Sequence, residues 1–395
     1  MARAGAFIAA LLLYALFSTP TPDHIGIVEI LILCGLVAGI GAGGLMQAGG
    51  VSVSTERPLW LFPARLLLFF GLTVPLVTGL MQGHAVSNIL RDMVPFLFLL
   101  LPLFLTPSFM DRPLMQRYFP YVLCAMGLIF VARVMGSFFI HIGTGQFPLG
   151  FIPDPDNLVN APTVLFAALF LTGVGGLWFT QGRTWKDFLI AAVFFVLTLV
   201  LLAGMAGIGQ RAHIGIWACG VLFWIGMLAV KRPVGLARVM GLIAIGMILL
   251  WPLASDILAG LAQKNAVVGL NNRAEEAQAV WASFSGQPLA LLLGQGWGAT
   301  IISPAVGPDP VNYTHNLLTS YLLKGGLMGV ALVLVYIVTL GAGIWRILWV
   351  SPVAAVALAG PFLVDITLYA SFKSLDFGLL LALIALWTRC SPALR

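Results

Sequence analysis

The chain has 395 residues, of which 60% are hydrophobic and only 9% are charged, and its formal net charge is +6. An ordinary soluble domain carries about a quarter charged residues, so this composition excludes a soluble globular fold. The lysines and arginines are scattered among connections rather than gathered into one patch, which argues against a nucleic-acid partner.

Apolar runs near the ~20 residues needed to cross a bilayer recur along almost the whole length. We therefore expect an all-α polytopic integral membrane protein with about 12 transmembrane helices, surrounded by membrane lipids, and a single membrane domain over residues 1–395. Hydropathy and helix breakers place the spans, in chain order, near 4–18, 25–46, 60–81, 93–106, 118–140, 160–180, 187–206, 212–230, 236–258, 316–345, 351–371 and 374–389.

Two features of the apolar runs have alternative explanations. The first run follows Arg3 as in a signal peptide, but no small-residue cleavage site and no soluble domain follow it, so we interpret it as an uncleaved first helix. The cysteines lie in or at the end of apolar runs, which indicates neither a disulfide framework nor a thiol metal site. They are Cys34, Cys124, Cys219 and Cys390.

The basic residues of the connections predict the orientation. With a cytoplasmic amino terminus, most lysines and arginines fall in inner connections, as the positive-inside rule requires, and an even number of spans puts both termini in the cytoplasm. The long connection 259–314 then lies outside. Asn272 and Glu275 fit a helix start, and Val280 and Trp281 follow at helical spacing, so we expect a short amphipathic helix on the outer membrane surface.

The sharpest local pattern is HNLLTSYLLKGGLMG, which begins at His315 and Asn316, where the long loop enters a span. Histidine can be neutral at physiological pH and accept a proton, which is what activating a hydroxyl nucleophile requires. Taken alone, this histidine fits an interfacial helix cap better than a catalytic base. Gly326 and Gly329 by themselves fit a contact between helices through small residues.

Two arginines in the outer connections are candidate ligands for an anion. Arg211 lies in the short turn GIGQRAH, where a planar guanidinium can grip two phosphate oxygens and glycines let backbone N–H groups approach. Arg273 opens the proposed surface helix, so its side chain and the helix N-terminus present positive potential to the same place. The alternatives are snorkelling to lipid headgroups for Arg211 and an ordinary solvated charge for Arg273.

Three further features carry less weight. Asp154 and Asp156 form a DxD pattern, but the proline between them indicates a turn, so no metal is expected. The segment GQGWG falls in the predicted outer loop and lacks the strand and helix of a dinucleotide site. Asp365 and Asp376 flank Lys373 near the last outer turn, where a buried ion pair and a catalytic role both remain open.

Together, an arginine in a short outer turn, an arginine in a long outer loop and His-Asn followed by Gly-x-x-Gly resemble the O-antigen ligase and polymerase superfamily. The specific part covers residues 204–345, where AGIGQRAHIGIW, NNRAEEAQAVW, LLLGQGWGA and HNLLTSYLLKGGLMG fall in the family's order. The resemblance implies a GT-C-like membrane fold and an inverting glycosyltransferase that needs neither a metal nor a cofactor.

The resemblance also implies substrates and residue roles. Arg211 and Arg273 bind the diphosphate, His315 is the base, and Asn316 and Asp365 stand in supporting positions. The donor is a glycan on undecaprenyl diphosphate, and the acceptor is the lipid A-core oligosaccharide of lipopolysaccharide biosynthesis. The active site then faces the periplasm from a bacterial inner membrane.

Two alternatives remain. A ligase is favoured over an O-antigen polymerase because one compact loop bears both Arg273 and His315, whereas polymerases often split their functional arginines between two large loops. Lys324, where many polymerases are acidic, and Val330, where ligases often continue Thr-Gly, depart from the family patterns and leave the polymerase open. A lipid-linked sugar flippase or other secondary transporter is expected to place key charges near the bilayer midplane, whereas the proposed site residues map outside.

Overall fold

The computed structural model describes residues 2–20, 26–50, 58–109, 113–144, 158–244 and 272–388. Within these ranges the chain is largely helical, with a single two-stranded antiparallel sheet. The helices are α1 (Ala2–Phe17), α2 (Ile27–Ala48), α3 (Leu61–Met81), α4 (Val86–Leu99), α5 (Leu101–Phe109), α6 (Pro113–Thr144), α7 (Pro162–Gln181), α8 (Trp185–Ile208), α9 (Arg211–Lys231), α10 (Pro233–Ala244), α11 (Arg273–Ala282), α12 (Pro288–Leu293), α13 (Leu317–Val350), α14 (Pro352–Thr367) and α15 (Leu375–Trp387), and the strands are β1 (Ile301–Ile302) and β2 (Pro310–Val311).

Among the described residues, seven helices are long and apolar enough to cross a membrane, namely α2, α3, α6, α7, α8, α9 and α13. An eighth candidate is the pair of α4 and α5, which meet at 45°, and α1, α10, α14 and α15 are shorter apolar helices. Large apolar side chains such as Phe62 and Trp349 face outward, as expected of a surface covered by lipid. The prediction of an all-α membrane protein is confirmed, whereas about 12 crossings stays a prediction.

Two helices form the centre of the bundle. Every residue of α15 is buried, and α7 is buried along its first three turns, since both are apolar all round. Asp376 in α15 accepts hydrogen bonds from Tyr14 and, at 2.6 Å, from Thr163. Its carboxyl is therefore satisfied by two hydroxyl groups. The ion pair between Asp376 and Lys373, one of the two possibilities that the sequence left open, is not formed.

A segment after α12, residues 294–299, is seated between α3 and α13, and we call it the wedge. Pro75 in α3 has no N–H, so the carbonyl of Gly71 one turn earlier lacks its helical donor. The indole of Trp297 donates to that carbonyl at 2.8 Å, and the Trp297 N–H donates to the Pro75 carbonyl at 2.8 Å. The wedge thus completes the backbone hydrogen bonding of α3.

The other side of the wedge meets a break in α13. Gly326 has a φ of 63° and interrupts the helical hydrogen bonding, and a Cβ there would lie 2.5 Å from the Gly294 nitrogen. The N–H groups of Gln295 and Gly296 donate to the carbonyls of Leu323 and Lys324 at 2.9 and 3.0 Å. GQGWG therefore joins the proline-containing helix α3 to the break in α13, rather than lying as a free stretch of an outer loop.

The rest of the described loop forms a small layer above the bundle. Strands β1 and β2 pair with Ile301 opposite Val311. Helix α11 begins beside Asn272 as predicted, although the Asn272 side chain does not cap it. A small core joins this layer to α13 through Val280, Phe284, Ala299, Ile301 and Leu323. Residues 259–271, and the DxD pair Asp154 and Asp156, lie outside the described residues.

We expect Trp297→Phe to destabilise the protein, because phenylalanine keeps the ring but leaves the buried Gly71 carbonyl without a donor. An unsatisfied buried group costs about 1–3 kcal/mol. Thermal unfolding in detergent should show a lower midpoint for this variant than for the lipid-facing control Trp345→Phe, whose parent side chain is 63% exposed. Equal midpoints would contradict the proposed role of the wedge.

Candidate functional site

Three helix starts converge on the end of α14, and we call this place the junction. It comprises Gln210 and Arg211 at the start of α9, Arg273 at the start of α11, His315 and Asn316 at the start of α13, and the segment Thr367–Tyr369. Helix N-termini carry partial positive charge and unsatisfied N–H groups. Neither Gln210 nor Asn272 caps its helix with a side-chain hydrogen bond. The junction therefore has the electrostatics of an anion-binding site.

Arg211 is held at the junction by the turn between α8 and α9. Gly209 ends α8 with a φ of 73°, which reverses the chain so that α9 begins at Arg211. The hydroxyl of Tyr369 donates to Gln210 Oε1 at 3.1 Å, and its ring packs edge-on against His213, the centroids being 5.4 Å apart. Tyr369 thus connects the start of α9 to the end of α14.

Arg273 lies on the other side of the same tyrosine. Its guanidinium stands 5.8 Å from the centre of the Tyr369 ring and donates through Nη1 to the Leu368 carbonyl. Burial lowers the pKa of this guanidinium, but an arginine remains charged in proteins. Tyr369 therefore connects Arg273 to Gln210, the residue next to Arg211.

His315 is oriented by a buried carboxylate, Glu276 of α11. The imidazole Nδ1 lies 3.1 Å from Glu276 Oε1, and the backbone N–H of His315 donates to Oε2 at 2.9 Å. Ser303 donates its hydroxyl to the same carboxylate at 2.6 Å. Glu276 is only 2% exposed, whereas the His315 side chain is 22% exposed.

The charge state of Glu276 decides which nitrogen of His315 can act as a base. Burial raises the pKa of the Glu276 carboxyl, but hydrogen bonds from His315 and Ser303 outweigh it and hold the pKa below its usual range. An ionised carboxylate only accepts hydrogen bonds, so Nδ1 of a neutral His315 carries the proton. Nε2 is then the nitrogen whose lone pair can accept a proton.

The two supporting residues predicted from sequence occupy different positions. Asn316 caps α13, accepting from the Leu318 N–H at 2.8 Å, and its amide donates to the Thr367 carbonyl at 3.4 Å, so it is part of the junction. Asp365 is fully buried in α14, one turn before Tyr369, and accepts from Ser371 at 2.5 Å. The structure thus brings Asn316 into the junction and places Asp365 beneath it.

A buried charge cluster lies below the wedge and consists of Asp92, Lys324 and Lys373. Lys324 Nζ is 2.6 Å from Asp92 Oδ2 and also donates to the Ala299 carbonyl, and Lys373 Nζ is 3.8 Å from Asp92 Oδ1. Burial lowers the pKa of Lys373 to about 8, although the nearby Asp92 carboxylate acts to raise it. A cavity of about 20 Å³ beside the cluster has room for one water molecule.

Sequence reasoning missed three residues of these arrangements, Glu276, Tyr369 and Asp92. Glu276 had a signal, because Arg273, Glu276 and Val280 recur at helical spacing and so share one face of α11. An acid on a face with a buried apolar residue indicates a buried partner. Tyr369 lies in a turn, and Asp92 meets lysines far along the chain, so local spacing gave no sign of either.

Comparisons with known proteins do not assign a family, since no protein-family model matches the chain and no curated protein matches it. Within the described ranges, no group of three or more histidines, cysteines or acids is placed to hold a metal ion.

We expect Glu276→Gln to flatten the dependence of stability on acid pH. Because the folded-state pKa of Glu276 is lowered, its carboxylate contributes stability above the ordinary glutamate range, and this stability is lost as pH falls through the lowered pKa. The control is Glu275→Gln, at the exposed neighbouring position. Unfolding midpoints from pH 7 to pH 3 should fall less for Glu276→Gln than for the control, and parallel curves would contradict the carboxylate assignment.

Proposed function

We propose that the protein is an O-antigen ligase, an inverting glycosyltransferase that works without a metal or cofactor. It moves a glycan from undecaprenyl diphosphate to a hydroxyl of the lipid A-core oligosaccharide. The enzyme resides in a bacterial inner membrane with about 12 crossings in a GT-C-like fold, both termini in the cytoplasm and the 259–314 loop with its active site in the periplasm.

The observation that supports this proposal best is a histidine oriented by Glu276, a carboxylate one helical turn from Arg273. Glu276 orients His315, and Glu276 follows Arg273 by three residues on α11, a spacing that puts neighbouring side chains on one face. Tyr369 connects Arg273 to the turn that carries Arg211. A general base beside a place for phosphate is what transfer from a diphosphate carrier to a hydroxyl requires.

In the proposed reaction, an acceptor hydroxyl oxygen attacks the anomeric carbon while His315 Nε2 takes the hydroxyl proton. The bond from the anomeric carbon to the diphosphate oxygen breaks, and its electron pair leaves with the diphosphate. Arg211, Arg273 and the starts of α9 and α11 stabilise that growing negative charge. Attack from the face opposite the carrier inverts the anomeric configuration, and Glu276 stabilises the imidazolium that forms.

A polymerase of the same superfamily uses the same chemistry, with a second carrier-linked glycan as acceptor. The loop between α10 and α13 carries both Arg273 and His315, the arrangement that favours a ligase. Reconstitution of the purified protein with both acceptors separates the two functions, because a ligase makes core-linked product and a polymerase makes longer carrier-linked product.

One observation favours the transporter alternative. Asp92 lies in α4, which forms a bent pair with α5, and its partner Lys324 lies two residues before the break in α13 at Gly326. Charges at broken helices are typical of transporter sites. However, this pair is hydrogen-bonded to the wedge, and the adjoining cavity holds only about one water, far less than a sugar needs.

The orientation predicts which cysteines an impermeant maleimide reaches in intact cells. In a variant whose native cysteines are replaced by serine, Ala274→Cys at the exposed start of α11 should be labelled from the periplasm. Lys186→Cys, at the opposite end of α8 from the turn carrying Arg211, should be labelled only after permeabilisation. The reverse pattern would overturn the proposed periplasmic active site.

The roles of histidine and arginine predict different kinetic defects. His315→Ala should lower transfer by roughly 10²–10⁴-fold, the usual cost of losing a general base, while carrier binding stays nearly intact. Arg211→Ala and Arg273→Ala should weaken donor binding by roughly ten- to a hundredfold, since a charge-assisted contact contributes about 1.5–3 kcal/mol. Donor binding and turnover are measured with purified protein in lipid vesicles.

The matched control is Arg346→Ala, at an exposed position near the far end of α13, which should match the wild-type protein. Near-normal turnover of His315→Ala at saturating donor would remove its role as a base. Movement of carrier-linked sugar across vesicles without any transfer product would instead favour the transporter.

A further inference from the structure

The buried charge cluster is connected to the loop that carries His315. Lys373 Nζ donates to the Asn312 carbonyl at 3.4 Å and stands 5.7 Å from the centre of the Tyr313 ring. The Tyr313 ring then packs edge-on against the imidazole of His315, with the centroids 5.7 Å apart. A chain of contacts therefore runs from Asp92 through Lys373 and Tyr313 to His315.

Asp92 organises this cluster from inside the bundle. It is 5% exposed, and its Oδ2 accepts both from Lys324 and, at 2.7 Å, from the Gly298 N–H of the wedge. Its Oδ1 faces Lys373. Because Lys324 also donates to the Ala299 carbonyl, the cluster holds the loop at two places, at the wedge before β1 and at Asn312 after β2.

Lys373 is largely buried, its side chain being 11% exposed, so it carries a desolvation cost that an apolar side chain would avoid. Desolvation disfavours an ammonium in the protein interior, and an ion pair there offsets the cost only when its geometry and hydrogen bonds are good. Lys373 is 3.8 Å from Asp92, yet its nearest described acceptor is the Asn312 carbonyl. The ammonium is therefore placed to hold the loop backbone as well as to pair with a carboxylate.

We infer that Lys373 is a positioning residue that fixes Asn312 and Tyr313 and thereby holds the His315 imidazole against Glu276. Asp92 keeps the Lys373 side chain in place from below. The description of His315 as a base rests on the proposed function, whereas the positioning of its imidazole does not. This separation allows the inference to be tested without any transfer assay.

The first test measures the reactivity of His315 in the full-length protein. Diethyl pyrocarbonate modification, followed by mass spectrometry, reports the access of each imidazole, and His84 serves as the internal reference. Lys373→Met should raise the rate at His315 by roughly fivefold, as expected if about 1 kcal/mol of positioning is lost. Lys373→Arg should restore the slow rate, and Lys186→Met, at an exposed lysine, should leave it unchanged.

Tyr313→Leu is a second variant that leaves Lys373 and Asp92 intact, so it applies even if Lys373→Met fails to fold. It should raise the reactivity of His315 in the same way. In the transfer assay, both variants should lower kcat more than they change KM for the carrier-linked donor. Absence of transfer in every protein, with the reactivity pattern present, would overturn the proposed function and support the positioning role.

Unchanged His315 reactivity in Tyr313→Leu, or in a folded Lys373→Met, would overturn the positioning role whatever the transfer assay gives. The positioning role would also be overturned if His315 reacted faster in both Lys373→Met and Lys373→Arg and the rate at His84 rose equally. General loosening of the fold would raise the reaction rate of every histidine together.

Discussion

Backbone groups inside a membrane protein must find hydrogen-bond partners within the protein, since lipid offers none. Two helices of this bundle break that pattern where Pro75 and Gly326 interrupt α3 and α13. The wedge supplies the missing partners to both helices through its own N–H groups and the indole of Trp297. The polar layer above the bundle is therefore joined to the membrane helices by bonds that neither side can replace with lipid.

That constraint explains why the wedge requires glycine. A Cβ on Gly79 would lie 2.3 Å from the Trp297 carbonyl oxygen. A Cβ on Gly296, which has a φ of 84°, would lie 2.3 Å from the Gly79 nitrogen. Only bare backbone fits between the helices at this depth. The glycines of GQGWG thus allow close approach between backbones, a structural purpose quite different from the phosphate-binding loops that such sequences suggest.

The sequence was informative about local features and uninformative about long-range pairs. Apolar runs predicted most of the long helices of the described chain, although the predicted span 93–106 is divided between α4 and α5. The start of α11 next to Asn272 and the tight turn before Arg211 were visible in local patterns. The ion pair of Asp92 and Lys324 joins residues far apart in the chain, so no periodicity indicates it. Tyr369 was equally hidden, because its importance comes from three elements that meet only after folding.

Charge placement distinguishes the two polar regions of the molecule. In the cluster, the Asp92 carboxylate faces two lysines and also accepts a hydrogen bond from the Gly298 N–H of the wedge. Its charge is therefore used to join the wedge to the bundle. At the junction, arginines and helix starts share one sign of charge, and the Glu276 carboxylate, which attracts Arg273, accepts hydrogen bonds from His315 and Ser303. In the proposed function, the diphosphate binds at this positive region, next to the α11 carboxylate that orients the His315 imidazole. In the proposed function, diphosphate binding and proton transfer therefore depend on one short helix, α11, which carries Arg273 and Glu276 three residues apart.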